Sequence, residues 1–411
     1  MALGALPSSV LAKALRYLEQ ADLQRAGAVC SSFASAVEVV LLARSTSIME
    51  SPPIRWIARG EPFRRLTEAR QRIDLNRRRR WSHAAANARW HAILATSRCR
   101  RVPEVCANTP LASRTEPAII IGYAAAREWR GVVEWEPARL LQHVESGTIL
   151  RCGEDGDGKE VGLSVADMLK YCISQSDQMP LYLFDHEFGE KAPELVNGYV
   201  EPTEIIQPPD LMSLLGVNRP PWRWFALGAG GSGCDVHQDP INTCSWNVVV
   251  HGVKRWAFLH PSLSAKDVGL DTLVDDEPTL EWFCNVLPAV AARHPSHVLV
   301  VDAPAGSLVY IPPGWWHATW NLSTVSVAIT HNVVTWSIFC ECWCRLAAAF
   351  TGVQILDVLE GLEHEFGLSS TNMAESWLRA IVVYADGHRL SLHGLSHVAR
   401  LLDEAPRRSR C

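Results

Sequence analysis

The sequence predicts a mainly β core: a double-stranded β-helix, or jelly roll, with flanking helices, plus a helical unit at the N-terminus and helices at the C-terminus. Two observations point there. Between about 109 and 335 many short apolar or alternating runs are broken by Gly, Pro and Asn, which favours a sandwich or barrel over an alternating strand–helix sheet. Helical apolar spacing is concentrated toward the two ends. The chain has 411 residues, 48% of them hydrophobic and 20% charged, so it is globular and not a disordered tail, with room for two to three domains.

The first unit is expected at 1–45. Leu6-Pro7 is followed by Val10, Leu11, Ala14, Leu15 and Leu18 on one helical face, Asp22 stands where it caps a second helix carrying Leu23 and Ala26, and Val29, Cys30 and Phe33 follow. This arrangement resembles an F-box, the helical motif that docks on the Skp-family adaptor of cullin ubiquitin ligases. An ordinary small helical bundle shares the same apolar positions, and both readings stand.

The segment 46–108 is an Arg-rich linker or helical segment. From Arg44 to Arg101 there are 15 Arg and no Lys against four acids, a local +11 in a chain whose net charge is -5. The run Arg77-Arg78-Arg79-Arg80, with Trp56, Trp81 and Trp90 near it, suits nuclear import or RNA contact, since guanidinium groups neutralise phosphates. The other reading is a solvated segment lying on an acidic body.

Within 109–335 the strand candidates are Ala118 to Ile121, Pro180 to Phe184, Trp222 to Leu227, Ser245 to Val250, Lys254 to Leu259, Val298 to Val301, Ser307 to Ile311 and Ser326 to Thr330. Helical patterns there are few, chiefly Pro137 to Val144 and Val165 to Ile173. From 336 to 411 the spacing of Ile355, Leu356, Val358, Leu359, Leu362 and Phe366 predicts helices that cover the barrel or form a homodimer face.

No run approaches the roughly 18 apolar residues of a membrane span, and Glu19, Gln20 and Asp22 break any secretory apolar region. The expectation is an intracellular protein of nucleus and/or cytoplasm, without membrane contact. The 12 cysteines have no small-scaffold spacing, and Cys340, Cys342 and Cys344 alternate where a zinc pair would be CxxC, so free, mostly buried thiols are expected.

The chemistry concentrates in Gly233-Cys-Asp-Val-His237-Gln238-Asp239-Pro240 and in Pro312-Pro-Gly-Trp-Trp-His317. Residues i and i+2 of a strand share a face, so His237 and Asp239 are expected to project together into a barrel lumen, with His317 arriving from another strand. Two imidazoles and one carboxylate on one face of an octahedron form the facial triad of non-haem Fe(II) sites. Three positions stay open, enough for a bidentate 2-oxo acid and O2.

Residues about 118 to 333 resemble a JmjC domain, a cupin-like jelly roll of the 2-oxoglutarate oxygenases. They are most similar to the branch of bifunctional arginine demethylases and lysyl-hydroxylases once called the phosphatidylserine receptor. The carrying motifs are Cys152-Gly-Glu-Asp-Gly-Asp-Gly, Pro180-Leu-Tyr-Leu-Phe-Asp185, Pro220-Pro-Trp-Arg-Trp-Phe225, His237-Gln-Asp-Pro, Ser245-Trp-Asn247, Gly252-Val-Lys-Arg-Trp256, Pro313-Gly-Trp-Trp-His317 and Ala328-Ile-Thr-His-Asn332. The resemblance implies His237, Asp239 and His317 as iron ligands. It implies Lys254 as the salt-bridge partner of 2-oxoglutarate, with Asn247, Tyr182 and Thr330 as hydrogen-bonding companions.

Lys254 also has an independent case, since a buried ammonium is costly unless an anion pairs with it. Two departures stand out: Cys234 where the branch often has Thr, and a His317-to-Thr330 interval one residue longer than expected, which would shift Thr330 off the inward face. Family resemblance implies Fe(II), 2-oxoglutarate and O2 acting on a protein substrate, by lysyl hydroxylation or by demethylation of methyl-arginine or methyl-lysine. The reading from another class is an F-box adaptor whose jelly roll only binds a target. Gly228-Ala-Gly230-Gly-Ser-Gly233 mimics a dinucleotide loop, but a metal-ligand strand follows where a helix should begin. The other histidines, such as His251, His260, His297 and His331, are expected to be satisfied structural residues, with His331 the first exception to consider as support for the ligands from behind.

Overall fold

The computed structural model describes residues 83–96, 99–154, 160–175, 177, 180–206, 210, 212–213, 219–270, 279–335, 338 and 342. The expected F-box-like unit, most of the Arg-rich segment and the C-terminal helices lie outside the described residues.

From helix α1 (His83–Thr96) the chain runs through β1 (Arg100–Arg101) and β2 (Ala118–Ile120), the hairpin β3 (Ile149–Glu154) and β4 (Glu160–Ser164), and α2 (Val165–Ser174). It continues through β5 (Tyr182–Asp185), β6 (Arg223–Ala229), β7 (Gly233–His237), β8 (Cys244–His251) and β9 (Val253–Leu259). A helical insertion ending in α3 (Leu287–Arg293) then leads to β10 (Val298–Pro304), β11 (Leu308–Ile311), β12 (Trp316–Asn321) and β13 (Val325–Val333).

Two sheets face each other, in the orders β1-β10-β9-β12-β7 and β2-β11-β8-β13-β6-β5. Consecutive strands such as β8 and β9 lie in different sheets, the jelly-roll signature. Between the sheets Val249, Trp256, Phe258, Leu299, Val309, Ile311 and Trp315 form the inner core. Outside the larger sheet, Phe225, Leu227, Trp246, Val248, Val327 and Ile329 pack on Trp129, Trp135, Met168 and Leu195. Outside the smaller sheet, Ala257, Leu259, Ala318 and Trp320 pack on Trp90, Phe283 and Leu287. The central strands of the two sheets thus bury both faces, which is why their runs read as continuous apolar segments as well as alternating ones.

The expected strands are all present within a few residues. The expected helix Val165 to Ile173 is α2, capped by the Ser164 hydroxyl accepting from Asp167 N. One expectation needs correction. The helix over Pro137 to Val144 stops at Leu140, because Gln142 and His143 bond three residues back instead of four. The helical stretch over Thr279–Arg293, which includes a π-helical turn at Trp282–Val286, adds to the two chief helices expected within 109–335. Pro288 has no N–H for the Cys284 carbonyl four residues back, and Arg89 Nε of α1 supplies that bond at 2.9 Å. None of the eight described cysteines is in a disulfide, and five are buried.

Candidate active site

His237 closes β7, opposite His317 on β12. A bulge in β7 sets His237 against His317 and Cys234 against Thr319, so three residues on β7 span two on β12. Cys234 and His237 therefore both face the lumen despite an odd spacing. Asp239 is not in the strand, which corrects the i, i+2 expectation. It lies beyond the strand end at φ -58°, ψ 143°, an extended conformation favoured because Pro240 follows.

The three side chains nonetheless converge, with one candidate ligand atom from each lying within 4.8 Å of the others. His317 Nε2 is 4.0 Å from Asp239 Oδ1, and the two imidazole centroids are 4.2 Å apart. Among the described residues no other group of three His, Cys, Asp or Glu side chains meets in this way.

The imidazoles are held in one tautomer. His237 Nδ1 lies 2.7 Å from the Asp235 carbonyl and His317 Nδ1 lies 3.1 Å from the Trp315 carbonyl. A carbonyl only accepts, so each Nδ1 carries the proton and each Nε2 keeps a free lone pair. Burial, reinforced by His237 beside it, pushes His317 down to about 4, so it stays neutral at physiological pH.

Two residues that the sequence reading did not assign orient the carboxylate. Ser245 Oγ donates to Asp239 Oδ2 at 2.6 Å, and Asn332 Nδ2 donates to Asp239 Oδ1 at 3.2 Å and to Thr243 Oγ1 at 3.0 Å. Their signal was parity: each stands two residues from an expected lumen contact, Asn247 or Thr330, on the same strand face. His331 is a satisfied structural histidine, the main expectation for the non-ligand histidines, and does not take that supporting role. It faces the outer side, with Nε2 2.9 Å from the Tyr199 hydroxyl and its ring 4.1 Å from that of Trp246.

Deeper in the lumen Lys254 is buried, its Nζ 2.7 Å from the Tyr182 hydroxyl. Its ammonium lies 5.3 Å from the Tyr182 ring centroid and 5.5 Å from that of Trp256. Burial pushes it down to about 8, with Cys234 acting slightly the other way. Burial also pushes the Cys234 thiol up, partly offset by Lys254.

Thr330 stands opposite Asn247 in the β13–β8 register, so the longer interval has not turned it outward. Its hydroxyl donates to the Trp246 carbonyl at 2.9 Å and retains only acceptor capacity toward the lumen. Asn247 Oδ1 and Trp256 Nε1 are buried without a partner among the described residues. From Tyr182 a file of half-buried rings continues to Phe184 (5.7 Å between centroids) and Trp224 (5.6 Å, 7° between planes) along the open edge of the larger sheet.

These residues fit a divalent metal with an anionic co-ligand. The donor set is two imidazoles and an oriented carboxylate, and an ammonium with no carboxylate partner among the described residues, together with the orphaned polar atoms, provides for a buried anion.

Residues 224–333 match the family model described as JmjC domain, hydroxylase, and residues 3–47 match an F-box-like model. The chain is 32% identical to lysine-specific demethylase JMJ21 of Arabidopsis thaliana over 50% of its own length and 21% of that protein. It is 33% identical to arginine-specific demethylase JMJ22 of the same plant, over 42% of this chain and 34% of the relative. It is 29% identical to the bifunctional arginine demethylase and lysyl-hydroxylase psr-1 of Caenorhabditis elegans, over 53% of this chain and 55% of the relative. The matched regions thus span between about a fifth and about half of those relatives. Residues 224–333 are thus similar to JmjC hydroxylase domains and residues 3–47 to F-box-like segments.

Proposed function

We propose that this JmjC-domain protein is an Fe(II)- and 2-oxoglutarate-dependent oxygenase acting on a protein side chain. What carries the reading is the convergence of His237, Asp239 and His317 beside Lys254, a buried ammonium with no carboxylate partner among the described residues. In it, His237 Nε2, Asp239 Oδ1 and His317 Nε2 hold the metal, and Lys254 with Tyr182 holds the distal carboxylate of 2-oxoglutarate. Asn247 and Thr330 line the path between. When bound, Fe(II) with 2-oxoglutarate and O2 supplies oxidative chemistry, yielding succinate and CO2 while one oxygen atom enters a substrate C–H bond.

The protein's own contribution is positional. Ser245 and Asn332 fix the carboxylate rotamer, the Asp235 and Trp315 carbonyls fix the imidazole planes, and the inner core keeps bulk water from the Lys254 end. The half-buried rings of Phe184 and Trp224 offer an apolar wall to the incoming side chain. Lysyl hydroxylation is the first candidate reaction, followed by demethylation of methyl-arginine or methyl-lysine, in which a hydroxylated N-methyl group collapses to formaldehyde. Both use one site, and the names of the relatives JMJ21, JMJ22 and psr-1 support this range.

Anaerobic Fe(II) titration and succinate formation test the reading. Wild type is expected to show both, and His237→Ala neither; absence of both in wild type, or their persistence in His237→Ala, sinks it. The F-box-like match supports a compatible second role, docking of residues 3–47 on a Skp-type adaptor. Co-purification of that adaptor is expected with wild type and lost on Leu6→Ala with Pro7→Ala.

A further inference from the structure

One residue after Asp239, past Pro240, the backbone takes two left-handed residues in succession, neither of them glycine: Ile241 at φ 49° and Asn242 at φ 64°. Asn tolerates this region. A β-branched residue does not, because its Cβ crowds the following carbonyl oxygen. Such a conformation persists only where its surroundings over-determine it.

The surroundings here link both ligand-bearing loops. On one side, Thr243 N and Oγ1 each donate to the Pro240 carbonyl at 3.1 Å, and Asn332 bridges Thr243 and Asp239 across the turn. On the other, Gln238, exposed between the two ligands, donates through Nε2 to the Gly314 carbonyl. Gly314, at φ 73°, sits third in the turn Pro312-Pro313-Gly314-Trp315, closed by Trp315 N to Pro312 O at 3.4 Å. Asn242 Oδ1 lies only 3.1 Å from where a Cβ on Gly314 would stand. The next carbonyl, that of Trp315, is the one that orients His317.

Resting on the metal reading above, we infer that Gln238 is a positioning residue for the metal site. By binding Gly314 it joins the loop that orients His317 to the loop that carries Asp239, and it holds the Ile241–Asn242 turn left-handed. The ligands are therefore in register before a metal arrives. Without this bond the turn relaxes toward right-handed backbone and carries Asp239 off the convergence point.

Anaerobic Fe(II) affinity of the full chain, measured by competition with a chromophoric chelator, tests this. Gln238→Ala, and Gln238→Met with similar reach but no donor, are each expected to bind Fe(II) about tenfold more weakly with an unchanged circular dichroism spectrum. Adding Ile241→Gly to either should return affinity to within about twofold of wild type, because glycine accepts left-handed backbone without steric cost. Unchanged affinity in the single variants, or double variants as weak as the singles, overturns the inference. If wild type itself binds no Fe(II), the metal reading fails instead, so the two failures are distinguishable.

Discussion

Lys254 Nζ stands 2.7 Å from the Tyr182 hydroxyl, and among the described residues no carboxylate reaches it. An ammonium with 3% exposure, held by a phenol and two ring faces but no counter-ion among the described residues, is a standing cost to the fold. Lys254→Met keeps the volume and removes the charge. It is expected to stabilise the ligand-free protein, on the order of 1 kcal/mol in urea denaturation. The same variant should lose 2-oxoglutarate binding in an anaerobic titration while retaining Fe(II). A Met variant that is less stable and still binds 2-oxoglutarate would mean that Lys254 serves the fold and not an anion.

The depressed Lys254 value gives a second prediction with a definite sign. In the ligand-free protein the group titrates at about 8 against an ordinary 10.5, and burial pushes the neighbouring Cys234 and Tyr182 upward, away from the Lys254 value. A bound carboxylate raises the Lys254 value again. Below pH 8 the ammonium is already formed and binding takes up no proton there. Above pH 8 binding must bring a proton in, so affinity falls by up to about tenfold per pH unit. Calorimetry of 2-oxoglutarate binding in two buffers of different ionisation enthalpy should therefore show near-zero proton uptake at pH 7 and close to one proton at pH 9. Without ligand, the unfolded chain holds more protons between the two values, so stability should rise with pH across that window.

Ser245 is expected to matter to the metal although it never touches it. Its hydroxyl holds Asp239 Oδ2 at 2.6 Å, leaving Oδ1 turned toward His317. Ser245→Ala removes this restraint at a position already buried in β8, and a loss of about tenfold to a hundredfold in Fe(II) affinity is expected, with little change in melting temperature. Ser245→Thr keeps the hydroxyl and should retain most of the affinity. Equal affinity in wild type and the Ala variant would show that Asn332 alone suffices.

The legible parts of this molecule were those in which one strand face does one job. The runs at Lys254 to Leu259 and Ser245 to Val250 are β9 and β8, and parity alone puts Lys254 and Asn247 on the inner face. Where the backbone departs from a regular period, sequence reasoning gave the right residue for the wrong reason or missed it. His237 and Asp239 converge not by strand parity but through a bulge and a pre-proline residue, which spacing does not encode. His331, the one non-ligand histidine considered as support for the metal site, is turned outward by its odd position on β13, and its even neighbour Asn332 does that work. The helix through Pro288 was hidden because the partner for the freed carbonyl comes from Arg89, 195 residues earlier in the chain.

Arg255 separates fold from function one residue away from Lys254. It is fully buried on the outer face of β9, with Nε and Nη2 each 2.7 Å from Asp302 and Nη1 3.0 Å from Asn87 of α1. Its guanidinium lies between the indoles of Trp90 and Trp320, 4.8 and 5.0 Å from their centroids. A planar fork satisfies both a bidentate carboxylate and two ring faces, and a lysine ammonium cannot. Arg255→Lys is therefore expected to destabilise by about 3 kcal/mol, the lower end for a broken buried pair because Asp302 retains 35% exposure and can rehydrate. Strand alternation keeps this damage outside the lumen. Below the lowered melting transition, 2-oxoglutarate and Fe(II) affinities should stay within about twofold of wild type. Equilibrium urea unfolding together with anaerobic titration distinguishes the two effects. A variant that keeps its stability but loses the co-substrate would show that the two faces of β9 are coupled and that α1 belongs to the site.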